Sequence, residues 1–382
     1  MDDAERKGLP VEQVIVPRFE RAELLLVRLP FVSPFGTSVH VWTVKEALLL
    51  RLVADGVEGW GECVADPDPY YASETTATAR HIIVDFLLPM VADGQTVGEL
   101  RRRWRRVRGH EMAKATVENA ILDLAARRRG VPLHELLGFP PTRIPSGISI
   151  GLKDSPEALV EAVAEAVAKG YHRVKIKISR GRDIPFVRAV RARFPSLPLM
   201  VDANGDYTLD DADHLRQLDE FALMMIEQPL GYNDIYQHSL LQPRLATPLC
   251  LDESIHCLED ALAAVALGAC RVVNVKQGRV GGLAEAIRIA RACHERGVPV
   301  WSGGMDETGI GRAVNIHLQT APGFTLPGDT SETSRYFAED IVEPPVVLEA
   351  DGFIAIPKGP GTGVRIVPER LERCTAHRER LR

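Results

Sequence analysis

Residues 170–181, GYHRVKIKISRG, decide how the rest of the chain is read. Val174, Ile176 and Ile178 alternate with Lys175 and Lys177. That period of two is the signature of a β-strand, and it puts both lysines on one face. The preceding run, SPEALVEAVAEAVAKG (155–170), is helix-like, so a helix feeds directly into this strand. Strands in such units are usually apolar on both faces, because helices cover one side and a core fills the other. Two lysines on one face leave two readings. Either this is an edge strand with one wet face, or it carries charge into a functional centre.

Working outward from that strand, the same rhythm recurs. Short apolar runs, SGISIGL (146–152), RVKIKI (173–178), PLMVDAN (198–204), ALMMIEQ (222–228), PLCLDES (248–254), RVVNVKQ (271–277), VPVWSGG (298–304) and GFTLPGD (323–329), alternate with helical runs such as TLDDADHLRQLDE, LEDALAAVALG and GLAEAIRIARACHERG. A βα unit repeated about eight times predicts an α/β fold of the (β/α)8 TIM-barrel type. A doubly wound sheet is the alternative. No GxGxxG follows the first strand, and KGPGTGV (358–364) leads into a strand-like run, which marks turn glycines.

Before the barrel, the runs RAELLLVRLPF (21–31) and ALLLRLVADGVEGWGEC (47–63) read as strands, the latter turning at Asp55-Gly56. Two helical runs follow, SETTATARHIIVDFLLPMV (73–91) and MAKATVENAILDLAARRRG (112–130). This is the pattern of an α+β domain. GFPPTRIP (138–145) is the expected linker. The tail, VVLEADGFIAIPKGPGTGVRIV (346–367), is β-like again. The expected organisation is an N-terminal α+β capping domain over 1–140, the barrel with the active site over 141–335, and a C-terminal segment, 336–382, that returns to complete the cap.

The 382 residues suffice for one large and one smaller domain. A formal net charge of −6 argues against general nucleic-acid binding. The basic clusters RRRWRR (101–106) and RRR (127–129) lie in helical runs and read as solvated faces. The six cysteines show no CxxC spacing and read as reduced thiols of a cytoplasmic protein. No signal peptide and no membrane span are expected.

Lys177, Asp202, Glu227, Asp252 and Lys276 are separated by 25, 25, 25 and 24 residues. Each falls at the C-terminal end of its own predicted strand, one βα unit after the last. In a barrel those ends converge on one mouth, where active sites form. Three carboxylates there repel each other unless a cation lies among them. Oxygen ligands suit a hard divalent ion, Mg2+ above all, and the absence of His or Cys at these strand ends disfavours zinc. Any one of the acids could instead cap a helix or pair with a base; five charges in register make that reading poor for the set. Free lysine has a pKa of about 10.4, and burial or a neighbouring cation lowers it. Lys175 is expected to supply such a neighbouring charge to Lys177. A divalent metal flanked by two lysines suits removal of a proton alpha to a carboxylate through an enediolate. One lysine takes the proton; the other returns it on the opposite face or stabilises the intermediate as a cation.

The motifs KIK (175–177), DAN (202–204), EQP (227–229), DES (252–254) and NVK (274–276) resemble the muconate lactonising enzyme subgroup of the enolase superfamily. PFGTSV (34–39), EGWGECVA (58–65), SGGMDETGIGRAVN (302–315) and GFTLPGDTS (323–331) look like the o-succinylbenzoate synthase / N-acylamino acid racemase family. The resemblance covers nearly the whole chain. It implies that Asp202, Glu227 and Asp252 bind Mg2+, with Mn2+ or Co2+ able to substitute. Lys177 and Lys276 would be the acid/base pair, and Asn204 and Glu253 would support the metal ligands. Ser149 and the Gly303-Gly304-Met305 turn would touch the substrate. Residues 31–37, with Phe31 and Phe35, would form a lid beside DPDPYY (66–71). Arg279 matches a KxGRVGG pattern; it either serves the site or simply enters the next helix facing solvent.

The implied activity is N-acylamino acid (N-succinylamino acid) racemisation with o-succinylbenzoate synthase activity on a small-molecule carboxylate. Dedicated o-succinylbenzoate synthesis by syn-dehydration, in menaquinone biosynthesis, is the enzymatic alternative. A dipeptide epimerase is disfavoured because LPGDTS lacks a paired DxD. A metal-binding scaffold would have no use for two opposed lysines. A homo-oligomer is expected, with no nucleic-acid or membrane partner. Asp306 departs from the family pattern, which commonly has an apolar residue there. It would either cap the helix near Thr308 or pair with Arg312, or else face the substrate.

Overall fold

A computed structural model describes residues 10–36 and 41–381. Three antiparallel strands open the chain: β1 (Arg21–Gly36), β2 (Val41–Ala54) and β3 (Val57–Cys63). Asp55 and Gly56 turn β2 into β3, both at positive φ (51° and 76°), the backbone that such a tight hairpin demands. Helices α1 (Thr76–Ile82), α2 (Val97–Trp104), α3 (Glu111–Arg129) and α4 (Leu133–Leu136) follow. Helix α3 packs so closely on β3 that a Cβ at Gly61 would collide with the Thr116 carbonyl.

The short strand β4 (Ile144–Pro145) leads into the alternating unit. That unit runs β5 (Gly147–Ile150), α5 (Pro156–Ala168), β6 (Arg173–Lys177), α6 (Ile184–Arg193), β7 (Leu199–Asp202), α7 (Ala212–Leu215), β8 (Ile226–Glu227), α8 (Ile235–Leu241), β9 (Leu249–Leu251), α9 (Leu258–Ala266), β10 (Val272–Val275), α10 (Leu283–His294), β11 (Val300–Ser302) and α11 (Gly309–Leu318). Strands β5 to β11 form one parallel sheet in sequence order. The strand expected over 323–329 is not regular. The segment instead bridges both open edges: Phe324 pairs with Val300, and Gly328 pairs with Ser146. Gly147 N donates to Gly328 O (2.8 Å) and Asp329 N to Ser302 O (2.9 Å), so the ring closes. Pro327 supplies no N–H to a ladder, and two glycines flank the segment, which explains the irregularity.

The tail contributes β12 (Val342–Glu343), β13 (Phe353–Ile354), β14 (Arg365–Ile366), α12 (Pro368–Cys374) and β15 (Thr375–Arg380). β12 pairs with β14, and β13 returns to β4. β15 pairs antiparallel with β1, extending the first sheet to four strands. Asp123 of α3 ties the tail down further, accepting from Trp60 N (2.9 Å) and Thr362 N (2.7 Å). The basic clusters are mostly solvated, with two exceptions, the first being Arg127, which donates to Asp123 (2.8 Å) and Val364 O (2.8 Å). Arg101 is inserted against the barrel, donating to Glu118 (2.6 Å), Gly281 O (2.8 Å) and Glu285 (2.7 Å). No described helix is long and apolar enough to cross a membrane. All six cysteines are free thiols.

Candidate active site

The strand register sets the charges side by side. Ser149 is opposite Lys175 across β5 and β6, Lys177 is opposite Asp202, and Asp202 is opposite Glu227. Asp252 follows β9 directly, and Lys276 follows β10. Because the strands are arranged in sequence order around a ring closed by residues 324–328, β6 and β10 lie across the barrel from each other. Lys177 and Lys276 therefore enter one cleft from opposite sides.

Each carboxylate is turned to a cation. Lys177 Nζ donates to Asp202 Oδ2 (2.6 Å) and Asn204 Oδ1 (2.7 Å). Lys276 Nζ is 2.9 Å from Asp252 Oδ2 and donates to the Tyr71 hydroxyl (3.0 Å). Lys175 Nζ meets Glu227 (3.0 Å), Asp202 (3.2 Å) and Asp329 (2.9 Å), over the face of Trp301. Among the described residues no group of three His, Cys, Asp or Glu side chains is set in metal-holding geometry, the acids being turned to the lysines instead. Electrostatics nonetheless mark Asp202, Glu227 and Asp252 as one set. Burial, then the charges of Asp202 and Asp252, push the Glu227 carboxyl up to about 8, despite Lys175. Asp252 is held low against its burial by Arg279 and Lys276, and Asp202 by Lys177 and Lys175. Three buried, mutually repelling oxygen donors on adjacent strand ends fit a divalent hard cation.

The lysines differ from expectation in one respect. Lys175 is not a bare second charge beside Lys177, since three acids surround it. Burial works to lower its pKa, but Asp329, Glu227 and Asp202 hold it well above the usual lysine value. Lys276 is likewise held up by Asp252 against burial. A ladder of charges read from spacing alone carries no information on how tightly each acid grips its ammonium.

The supporting residues are buried around this set. Asn204, at φ 44°, donates from Nδ2 to Glu253 Oε1 (2.8 Å). Burial and the neighbouring Asp252 charge push Glu253 up to about 7. Arg279 is not solvent-facing. It is buried, donates to Asp252, and holds Ile255 O (3.0 Å) and Asn274 O (2.9 Å). Gly303 packs behind Lys276, where a Cβ would run into Asn274 and the lysine chain. Gly304, Met305, Asp306, Ser149, Asn204 and Phe31 line the cleft; Gly303, Glu253 and Arg279 do not. Phe31 stacks on Phe337 (5.6 Å between centroids). Of the expected lid, residue 37 and the Phe35 side chain lie outside the described residues.

Neither capping role falls to Asp306. Thr308 caps α11 itself, its hydroxyl accepting from Ile310 N. Arg312 is spent on Ser331 O (2.7 Å) and Glu307 O (2.9 Å). Asp306 lines the cleft at φ 54°.

Sequence reasoning assigns no role to Asp329, Asn274, Tyr71 or Lys45, although Asn274 lies in NVK and Tyr71 in DPDPYY. Asp329 bonds Lys175 and Arg173 (2.7 Å). It ends the eighth run, so the strand-end rule that found the other acids could have found it. Asn274, which donates to Glu227 Oε1 (2.7 Å), lies two residues before Lys276 on the same strand face. Tyr71 and Lys45 come from the capping side and carry no such periodic signal.

An (β/α)8 barrel whose strand ends carry three acids between two lysines, under an N-terminal α+β cap, defines the class. Residues 21–138 match the Mandelate racemase / muconate lactonizing enzyme, N-terminal domain, and residues 158–370 match the Enolase C-terminal domain-like family. The chain belongs to the enolase superfamily, whose enzymes act on small carboxylates with a divalent metal ion. It is 47% identical to the o-succinylbenzoate synthase of Geobacillus kaustophilus over 90% of this chain and 92% of that protein. It is 44% identical to the N-succinylamino acid racemase of Amycolatopsis sp over 92% of this chain and 96% of that protein. A solved enolase-superfamily member from Listeria innocua superposes with a TM-score of 0.91 at 40% identity, covering 95% of this chain and 99% of the other.

Proposed function

We propose that this enzyme racemises N-acylamino acids, N-succinylamino acids above all, by moving a proton at the carbon alpha to the carboxylate. The observation that carries the reading is the entry of Lys177 and Lys276 into one cleft from opposite walls. Asp202, Glu227 and Asp252 would hold Mg2+, or Mn2+ or Co2+ in its place. When bound, the ion supplies Lewis-acid stabilisation of the charge that builds on the substrate carboxylate. In one direction, neutral Lys177 Nζ takes the alpha proton and the electron pair passes toward the carboxylate. Lys276 then delivers a proton from its ammonium to the opposite face and is left neutral. The reverse direction exchanges the two roles. Asn204 holds Lys177 Nζ in place, and Tyr71 and Asp252 hold Lys276 Nζ. Lys175, gripped by three acids, orients them.

A second activity, o-succinylbenzoate synthesis by syn-dehydration, is favoured by the relatives at 47% and 48% identity that bear that name. The test is a kinetic panel of N-succinyl and N-acetyl amino acids beside the cyclohexadiene substrate of that synthase, with alpha-proton exchange in D2O followed by NMR. Exchange that disappears with chelator and returns with Mg2+, Mn2+ or Co2+ supports the reading; full activity in chelator ends it. The domain division at 140 and 335, the cytoplasmic location and a homo-oligomeric state remain parts of this proposal. Light scattering after size exclusion tests the last.

A further inference from the structure

We propose that the outer end of the cleft is a subsite for a cationic substrate side chain, built by Asp66 and Asp306. This deepens the racemase reading and rests on it. Asp66 follows β3 in the capping half, and Asp306 follows β11 at the barrel mouth. Both line the cleft that holds Lys177 and Lys276.

Lys45 of β2 lies beside them, only 4% exposed. Its Nζ donates to Met305 O (2.8 Å) and stands 3.9 Å from Asp66 Oδ1. Asp306 makes no hydrogen bond or ion pair among the described residues. Other acids nearby are already engaged. Glu46 lines the cleft but is held by Arg28 (2.9 Å) and Thr76 (3.0 Å). Glu62 accepts from Thr308 and Gly311, and Glu307 accepts from Asn315 (2.8 Å). One ammonium therefore faces two cleft-lining carboxylates, and one negative charge is left over toward the ligand. Burying that charge behind a substrate is costly unless the substrate brings a partner.

Two further features fit a ligand of this kind. Phe31 and Trp42 line the same cleft, and aromatic faces attract ammonium and guanidinium groups. Among the described residues the Ser149 hydroxyl, which lines the cleft, is buried without a hydrogen-bond partner, so the cleft also offers a polar contact to the rest of the substrate. An apolar side chain would leave the surplus carboxylate unpaired, and an acidic one would add a third carboxylate. The fitting class is an N-acylated amino acid with a long basic side chain.

The test compares kcat/KM for N-succinyl lysine, arginine, norleucine, methionine, phenylalanine and glutamate in the native enzyme, Asp66→Asn and Asp306→Asn, with thermal melts for each. The native enzyme is expected to prefer the lysine derivative over its neutral counterpart norleucine by about tenfold or more, and to turn over the glutamate derivative worst. Each Asn variant should lower the lysine-to-norleucine ratio by about tenfold. A native ratio of one or below, with the apolar derivatives still racemised, overturns this subsite and leaves the racemase reading standing. If none of the derivatives, apolar ones included, exchanges its alpha proton, the racemase reading fails and the subsite with it. Because the native ratio decides the matter, an Asn variant that does not fold leaves the proposal open to refutation.

Discussion

The two ends of the cleft are built by different rules. At the inner end Lys175, Lys177, Asp202, Glu227, Asp252 and Lys276 sit on, or just past, strands of one parallel sheet, and each of these three acids faces an ammonium or a guanidinium. Neighbours there are fixed by backbone register. At the outer end the groups come from β2, the segment after β3 and the segment after β11, and their charges do not balance. A reacting centre needs its groups held to fractions of an ångström, which a closed ladder provides. A specificity surface can change with the segments that carry it while leaving the ladder untouched.

The largest effects should fall at the inner end. Lys177→Ala and Lys276→Ala are each expected to lower racemisation by about 10²–10⁴-fold, the usual contribution of a positioned acid or base. Each variant should still exchange the alpha proton of the one enantiomer whose proton faces the remaining lysine, as NMR in D2O would reveal. Lys177→Ala should thus retain exchange with one enantiomer and Lys276→Ala with the other. If neither variant exchanges either enantiomer, the lysines act as a unit and the face assignment is wrong. If these losses were no larger than the tenfold expected for Asp66→Asn, the contrast between the two ends would collapse.

The inner end was legible because periodicity encodes it. A βα repeat near 25 residues brings Lys177, Asp202, Glu227, Asp252 and Lys276 to one level, and the structure has them lining or flanking one mouth. The eighth run was read as a strand on its apolar residues, although Pro327 and the glycines around it break the ladder. Asp329 was missed with it. Arg279 stays open to two readings in the sequence, because a helix-entry residue has no sequence mark of burial; only the fold turns it onto Asp252. The outer end had two clues, DPDPYY (66–71) beside the expected lid and the carboxylate at 306. Lys45 and Asp66 are more than two hundred residues from it, and no local pattern predicts that strand β2 will reach the barrel mouth.

Glu62 tests how the ends are joined. It leaves β3 and caps α11 across the molecule, accepting from Thr308 N (2.9 Å), Thr308 Oγ1 (2.6 Å) and Gly311 N (2.9 Å). Glu62→Ala strands these buried donors, at about 1–3 kcal/mol for an unsatisfied group. A fall in Tm of several degrees is expected by calorimetry. Because Met305 and Asp306 precede this cap directly, KM should rise more than kcat falls. A kcat loss as deep as that of the lysine variants would mean that the outer segments also set the reacting geometry, against the separation described above.

The smallest effect concerns stability away from the cleft, at the stacked pair of His134 on α4 and His317 on α11. Their rings lie 5.2 Å apart and nearly parallel, with Nδ1 to Nδ1 at 3.1 Å. His317 Nδ1 also accepts from His134 N (3.3 Å), while its Nε2 faces Thr362 O (3.1 Å). Neutral His317 with its proton on Nε2 therefore satisfies both neighbours. A second proton, on Nδ1, would point at the His134 N–H donor in a buried site. Burial, reinforced by His134, pushes His317 down to about 3 in spite of the Thr362 carbonyl, and burial lowers His134 as well. The unfolded chain takes up this proton near pH 6.5, and the folded chain only near 3. Between those values the unfolded state binds more protons, so stability is full above about pH 6.5 and drains away as pH falls toward 3. The slope for one such group is at most about 1.4 kcal/mol per pH unit. In a pH series of melts, His317→Asn should start lower at pH 7.5 yet lose less Tm between pH 7 and 5 than the native enzyme. The ratio of lysine to norleucine turnover should be the same for both proteins at each pH, since neither histidine lines the cleft. Parallel Tm slopes would remove His317 as the source of acid sensitivity, and a ratio that shifts with the substitution would tie this distant pair to the outer end after all.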